Sequence, residues 1–319
     1  MTSSLVGSEM CIRDSQRTVR PSIAKRAVVM FCADNGVVAQ GVTQCGQEVT
    51  ATVTENMGRG KSTVCLMAKH IGMDSFPVDI GVARDVEGER ILRRKIRYGT
   101  ADMTKEPAMT REEAVRALET GIQMTEWCAA QGYRLVCGGE MGIGNTTTSA
   151  AVTAVLTGAN VRDVTGRGAG LSSEGLERKV HAIETALKLH QPDPDDPVDI
   201  LHKVGGLDIA GMAGFYLGAA ACGLPVVLDG VISCAAALIA VRLCPAVRDY
   251  LIAAHQSAEP AGRLLLEALG YTPFISAGMR LGEGTGAVAA VAMIDLVLAA
   301  YDGMPSFDEA GIEAYQPLT

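Results

Sequence analysis

Apolar positions along the chain fall into two alternating patterns. Short runs of consecutive aliphatic and β-branched residues, the mark of strands buried on both faces, occur at 26–36 (RAVVMFCADNG), 75–82 (SFPVDIGV), 133–142 (YRLVCGGEMG), 224–230 (LPVVLDG) and 250–255 (YLIAAH). Between them lie helical stretches at 110–132, 145–158, 173–190, 206–222, 232–243 and 259–270, and a closing one after Glu283. The first opens with the capping-box pair Thr110 and Glu113 and stops at Gly132. Such alternation predicts an α/β fold, a parallel sheet flanked by helices. No repeat or linker interrupts residues 25–302, which read as one α/β domain. Residues 1–24 lack a strong apolar period and a signal-peptide pattern, and read as an atypical leader, the first 15 or so foreign to the rest. Residues 303–319 form a separate C-terminal segment.

Composition narrows the function. The 319 residues are 48% apolar and 20% charged, enough for a large core; 36 glycines against 4% aromatics fit close helix–sheet packing. A net charge of −8, with no basic stripe, excludes general nucleic-acid binding. The nine cysteines include no Cys-x-x-Cys pair and no zinc-ligand spacing, so they read as reduced thiols of a cytoplasmic protein, and neither metal nor cofactor is expected. The apolar stretch 204–241 is broken by Asp208, Pro225 and Asp229, which makes it a soluble core and not a membrane span.

Ligands of open parallel sheets bind beyond the carboxyl ends of the strands. There the chain carries Asp34-Asn35-Gly36, then Gly138 to Gly142 with Glu140 inside, Asp229-Gly230, and His255-Gln256-Ser257. Two glycine-bearing segments that open helices, GGEMGIGNTTTSAA and TGRGAGLSSEG (165–175, with Arg167), offer backbone N–H groups to a phosphate. Two other motifs lack context. GRGKST (58–63) has Glu55 where a P-loop needs its first glycine, and GEGTGA (282–287) lies too near the C-terminus for a second dinucleotide-binding strand. Glu283 stands between two glycines at the mouth of an apolar helix. Taken alone it reads equally as a cap of that helix and as a functional carboxylate; Glu140 is balanced in the same way. Lys179, mid-helix, reads by position as a solvated residue, His255 as structural, and Asp34, Asp208 and Asp229 as structural first.

Six stretches together carry a resemblance: FCADNGV, GEMGIGNTTT, TGRGAGL, KVGGLDIAGMAGFYLGAAACGLPVVLDG, HQSAE and MRLGEGTGA. In this order they resemble the nicotinate-nucleotide:5,6-dimethylbenzimidazole phosphoribosyltransferase family, over residues 25 to 317. The resemblance implies a Rossmann-like parallel sheet with a smaller helical domain, which the 303–319 segment would join, and a homodimer. It also implies transfer of phosphoribose from nicotinate mononucleotide to a benzimidazole. By motif, Glu283 falls on the general base, and Glu140 and Lys179 on the other catalytic positions. Phosphate and ribose would lie against Gly142, Asn145, Thr146, Gly166, Arg167, Gly168 and Ser257. The family's further N-terminal segment, part of its small domain, has the atypical leader in its place, so that domain is expected to be truncated. The base-binding stretch would be 41–57, where Cys45-Gly46 departs from the aromatic-proline often seen. Two other readings stay open at this point: a non-catalytic azole- or nucleotide-binding protein of the same fold, and a nicotinamide-dependent oxidoreductase.

Overall fold

A computed structural model describes residues 8–305 and 309–313, with side chains from Ile12 onward. Residues 1–7 of the expected leader, and 306–308 and 314–319 of the expected C-terminal segment, lie outside the described residues. Six strands build one sheet: β1 (Arg26–Ala33), β2 (Asp74–Gly81), β3 (Leu92–Arg93), β4 (Leu135–Met141), β5 (Val226–Leu228) and β6 (Leu251–Ala253). All neighbours run parallel, in the order β3-β2-β1-β4-β5-β6. The chain leaves β1 towards one edge and returns to β4 on the other side of β1. This reversal opens a crevice beyond the carboxyl ends of those two strands.

The run of apolar residues in β1 is explained by cover on both faces. Ala27, Val29, Phe31 and Ala33 point into one buried cluster, and Val28, Met30 and Cys32 into the other. The first cluster holds helices Arg111–Ala130, Asn145–Thr157, Leu207–Cys222 and Val231–Leu243; the second holds Glu48–Gly58, Thr63–His70 and Thr285–Gly303. The glycines let helices touch through their backbones. A β-carbon at Gly121 would lie 2.0 Å from the Gly211 carbonyl oxygen, and one at Gly214 would lie 1.9 Å from that of Leu118. The 204–241 stretch is thus two buried helices with β5 between them, as its pattern predicts. Helix Thr285–Gly303 is long and apolar enough to cross a bilayer, but one side of it packs in the second cluster and its Asp295 pairs with Arg26 at 2.5 Å.

Within residues 1–24, Ser8–Gln16 forms a helix and Ile12 is fully buried in the second cluster. The Gln16 amide donates to the carbonyls of Ser22 and Arg134 at 2.8 and 2.9 Å. The capping box of Thr110 and Glu113 is formed in both directions.

Candidate active site

β4 carries Gly138-Gly139 ahead of Glu140 because its backbone is crowded from both sides. A β-carbon at Gly138 would lie 2.5 Å from the Tyr216 hydroxyl, and one at Gly139 2.5 Å from the Glu283 carbonyl oxygen. Glu140, the next residue, is buried at the cleft floor. Its Oε2 accepts from the Asn145 amide, which also donates to Asp208 Oδ2 at 3.1 Å. Its Oε1 accepts from the backbone N–H of Glu283 at 3.3 Å. Burial, and then the Asp208 charge, outweigh these hydrogen bonds and push the Glu140 carboxyl up to about 8, while burial pushes Asp208 up to about 6. Both carboxyls are thus biased towards the protonated form, Glu140 the more strongly.

Glu283 sits on a turn of three consecutive left-handed residues: Gly282 at φ +84°, Glu283 at +62° and Gly284 at +95°. Glycine adopts this region freely, whereas for glutamate it is strained. The surrounding contacts hold it there. Glu140 takes the Glu283 N–H, and Glu283 Oε2 accepts from the Val64 N–H at 3.3 Å. Burial raises the pKa of this half-buried carboxyl above the ordinary range. The following helix is capped by a different residue. Asp229 accepts from the N–H groups of Gly284, Gly286 and Ala287 at 3.1, 2.7 and 3.2 Å. Asp229 fills the structural role that Glu283 could have had, which leaves the glutamate carboxylate free of its own helix.

Beside these carboxylates stand the residues expected to meet the phosphate. Lys179 is fully buried, contrary to the solvated position expected of a charged residue mid-helix: it shares the inward face of helix Ser173–His190 with Gly175, Ala182, Ile183 and Ala186. Its Nζ donates to Thr146 Oγ1 at 2.7 Å and to the Gly166 carbonyl at 3.0 Å, and burial lowers its pKa to about 8. It thereby ties the start of helix Asn145–Thr157 to the glycine loop. Arg167 bends back, donating to the Leu171 carbonyl at 2.7 Å and to Ser173 Oγ at 3.2 Å.

Glu283, Glu140, Gly142, Asn145, Thr146, Arg167, Gly168 and Ser257 all line one cavity of about 270 Å³. Gly166 opens on an adjoining depression, and Lys179 stands behind Thr146. The expected base-binding stretch supplies Val42 to Cys45 and Val53 to the opposite wall. Arg280, Leu281, Glu259 and His255 also reach the cavity. The sequence assigns no role to the first three, although the MRLGEG and HQSAE runs that hold them are visible signals. His255 is buried with Nδ1 unpartnered, and burial lowers its pKa. Among the described residues no three His, Cys, Asp or Glu side chains group as metal ligands. The GEGTGA turn leads into helix Thr285–Gly303, and no strand follows among the described residues, so a dinucleotide fold is missing there.

A parallel sheet whose switch-point cleft joins an anion-ready helix start to buried carboxylates fits the class of phosphoribosyltransferases, and the phosphoribosyltransferase family model matches residues 8–312. Two curated relatives are named nicotinate-nucleotide–dimethylbenzimidazole phosphoribosyltransferase. That of Acetivibrio thermocellus is 48% identical over 94% of this chain and 85% of its own length; that of Geobacter metallireducens is 47% identical over 92% and 83%. The crystal structure of CobT from Thermus thermophilus superposes with a TM-score of 0.90 at 39% identity, covering 95% of this chain and 91% of that one. The chain belongs to the nicotinate-nucleotide–dimethylbenzimidazole phosphoribosyltransferase family.

Proposed function

We propose that this cleft moves phosphoribose from nicotinate mononucleotide to 5,6-dimethylbenzimidazole or a related azole, giving α-ribazole 5′-phosphate and nicotinate. The observation that carries this reading is the joining of Glu283 to Glu140 across the cleft floor, the N–H of one on the carboxyl of the other. The donor's ribose is bonded to a pyridinium nitrogen. When that bond breaks, its electron pair stays on the ring, which leaves neutral at nitrogen and needs no acid. The azole attacks C1′ through one nitrogen, becomes cationic, and must lose the proton on its other nitrogen. Glu283 takes that proton as general base and later yields it to solvent. A pKa raised by burial suits a base working near neutrality.

Glu140 and Asp208 supply negative potential where positive charge develops at C1′. The pyridinium charge of the donor, although the whole nucleotide is an anion, favours the carboxylate form of Glu140 against the burial that disfavours it. Attack from the face opposite the departing ring inverts β to α. The 5′-phosphate would rest near Gly142, Asn145, Thr146 and the 166–168 loop, with Lys179 acting through Thr146 and Ser257 on the far wall.

The test is release of nicotinate from nicotinate mononucleotide on addition of dimethylbenzimidazole. Glu283→Gln is expected to lower turnover by roughly 100-fold or more, and wild-type rates from that variant would remove Glu283 from the base role. Calorimetric binding of both ligands without nicotinate release would point to a carrier.

The working form we propose is a homodimer in the cytoplasm. Helix Thr285–Gly303 presents Met293 and Leu296 outwards, Leu296 being 73% exposed, and the adjacent helix Thr63–His70 exposes Leu66. Exposed apolar side chains on neighbouring helices fit a subunit interface. The eight described cysteines are all free, which suits a reducing compartment.

A further inference from the structure

The GRGKST segment lacks the context of a P-loop, yet its tail is an anion-facing helix start. Gly60 turns the chain at φ +69°, Ser62 caps with Oγ accepting from the Cys65 N–H at 3.4 Å, and helix Thr63–His70 begins. The N–H of Val64, in its first turn, donates to Glu283 Oε2 at 3.3 Å. The arrangement is rigid. Val64 is fully buried in the cluster that also holds Val288 and Val291 of the helix following Glu283. A β-carbon at Gly284 would already lie 3.0 Å from Val28 Cγ2 and 3.7 Å from Val64 Cγ2.

Glu283 is thus held at two points: its N–H by Glu140 and its carboxylate by Val64. We propose that the Val64 N–H is a positioning group for the base, holding the Glu283 carboxylate in one orientation so that a phosphate-loop look-alike serves the protein's own side chain. The inference rests on the base role proposed above. A donor at a helix N-terminus also favours the ionised carboxylate, opposing the burial that disfavours it. The other ionisable groups around this cavity are Glu140, Arg167, Asp229, His255, Glu259, Arg280 and Cys45, and Cys65 follows Val64 on the helix.

Proline at position 64 deletes the donor, and the first turn of a helix tolerates it. Val64→Ala keeps the donor and reports what the side chain contributes by packing. We expect the low-pH limb of kcat/KM to lie about one unit higher in Val64→Pro than in Val64→Ala, a roughly tenfold gap on the acid side of that limb. The gap should close on the alkaline side of the limb, which a merely structural defect would not do. An unshifted limb in Val64→Pro overturns the proposal. Should circular dichroism show that variant unfolded, α-hydroxyvaline incorporated at 64 removes the N–H without a ring, and the same limb is read. Glu283→Gln separates the two levels. If it is inactive while the limb of the donor-deleted protein stays put, only the positioning role fails; if it retains wild-type activity, the base role fails and this inference with it.

Discussion

Glu140 is where burial and chemistry are most directly opposed. Its folded pKa, about 8, lies above the ordinary 4.5. Below pH 4.5 both folded and unfolded chains hold the proton and the group contributes nothing to the pH dependence. Between 4.5 and about 8 the unfolded chain ionises while the folded one does not, so stability falls as pH rises. Glu140→Gln removes this titration and keeps one acceptor oxygen, its NH2 group facing the other of the two donors, the Asn145 amide or the Glu283 N–H. Relative to the parent, its thermal midpoint should rise between pH 5 and pH 8.5, by a stability increment on the order of a few kcal/mol, while turnover drops. A constant difference across that range would mean that Glu140 titrates normally. Lys179 illustrates the limit of reading single residues. Its charge alone suggests a surface lysine, although it shares a helix face with Gly175, Ala182, Ile183 and Ala186, and the partner it finds there, the Gly166 carbonyl, comes from a loop 13 residues earlier.

At the scale of elements, the least replaceable side chain near the site is Asp229, which satisfies three N–H groups at the start of helix Thr285–Gly303. Asp229→Ala leaves those buried donors unpaired and should destabilise the fold by about 2–3 kcal/mol in urea denaturation. Turnover should fall with it, because the freed N–H groups belong to the turn that carries Glu283. Five of the six strands were legible as apolar runs, since both faces of the sheet are covered. β3 was not, having only two residues, Leu92 and Arg93, of which one is exposed. Helix Thr63–His70 hid behind the P-loop resemblance. Helix Pro197–Val204 hid in a Pro/Asp loop, though Asp196 as its cap and Pro197 in the first turn were signals of a helix start. That Gly142, Asn145 and Thr146 stand at a strand–helix junction was legible, because glycine, Asn and Thr have a local reason to be there. The Glu140–Asn145–Asp208 contact was not, because Asn145 and Asp208 stand 63 positions apart and meet only through the fold.

At the scale of the whole molecule, the second core cluster is covered by helices on the site's own side of the sheet. Helix Thr285–Gly303 turns Val288, Val291 and Ile294 inward, yet its other face keeps Met293 and Leu296 in solvent. A helix apolar on both sides is stable in water when a second surface covers the outer one. In a twofold dimer the same helix from each subunit can meet its counterpart, so one substitution acts twice. Leu296→Glu places a carboxylate on each side of that contact, where two like charges must be desolvated together. Light scattering behind a sizing column should then give about the single-chain mass, 33.3 kDa, for the variant and twice that for the parent. Because the substituted side chain is 73% exposed in the single chain, the monomer itself should keep its thermal midpoint at low protein concentration. The parent's midpoint, in contrast, should climb with concentration as association stabilises the folded state by mass action. A parent of single-chain mass, or a Leu296→Glu protein that still runs at double mass, would place the interface elsewhere or remove it.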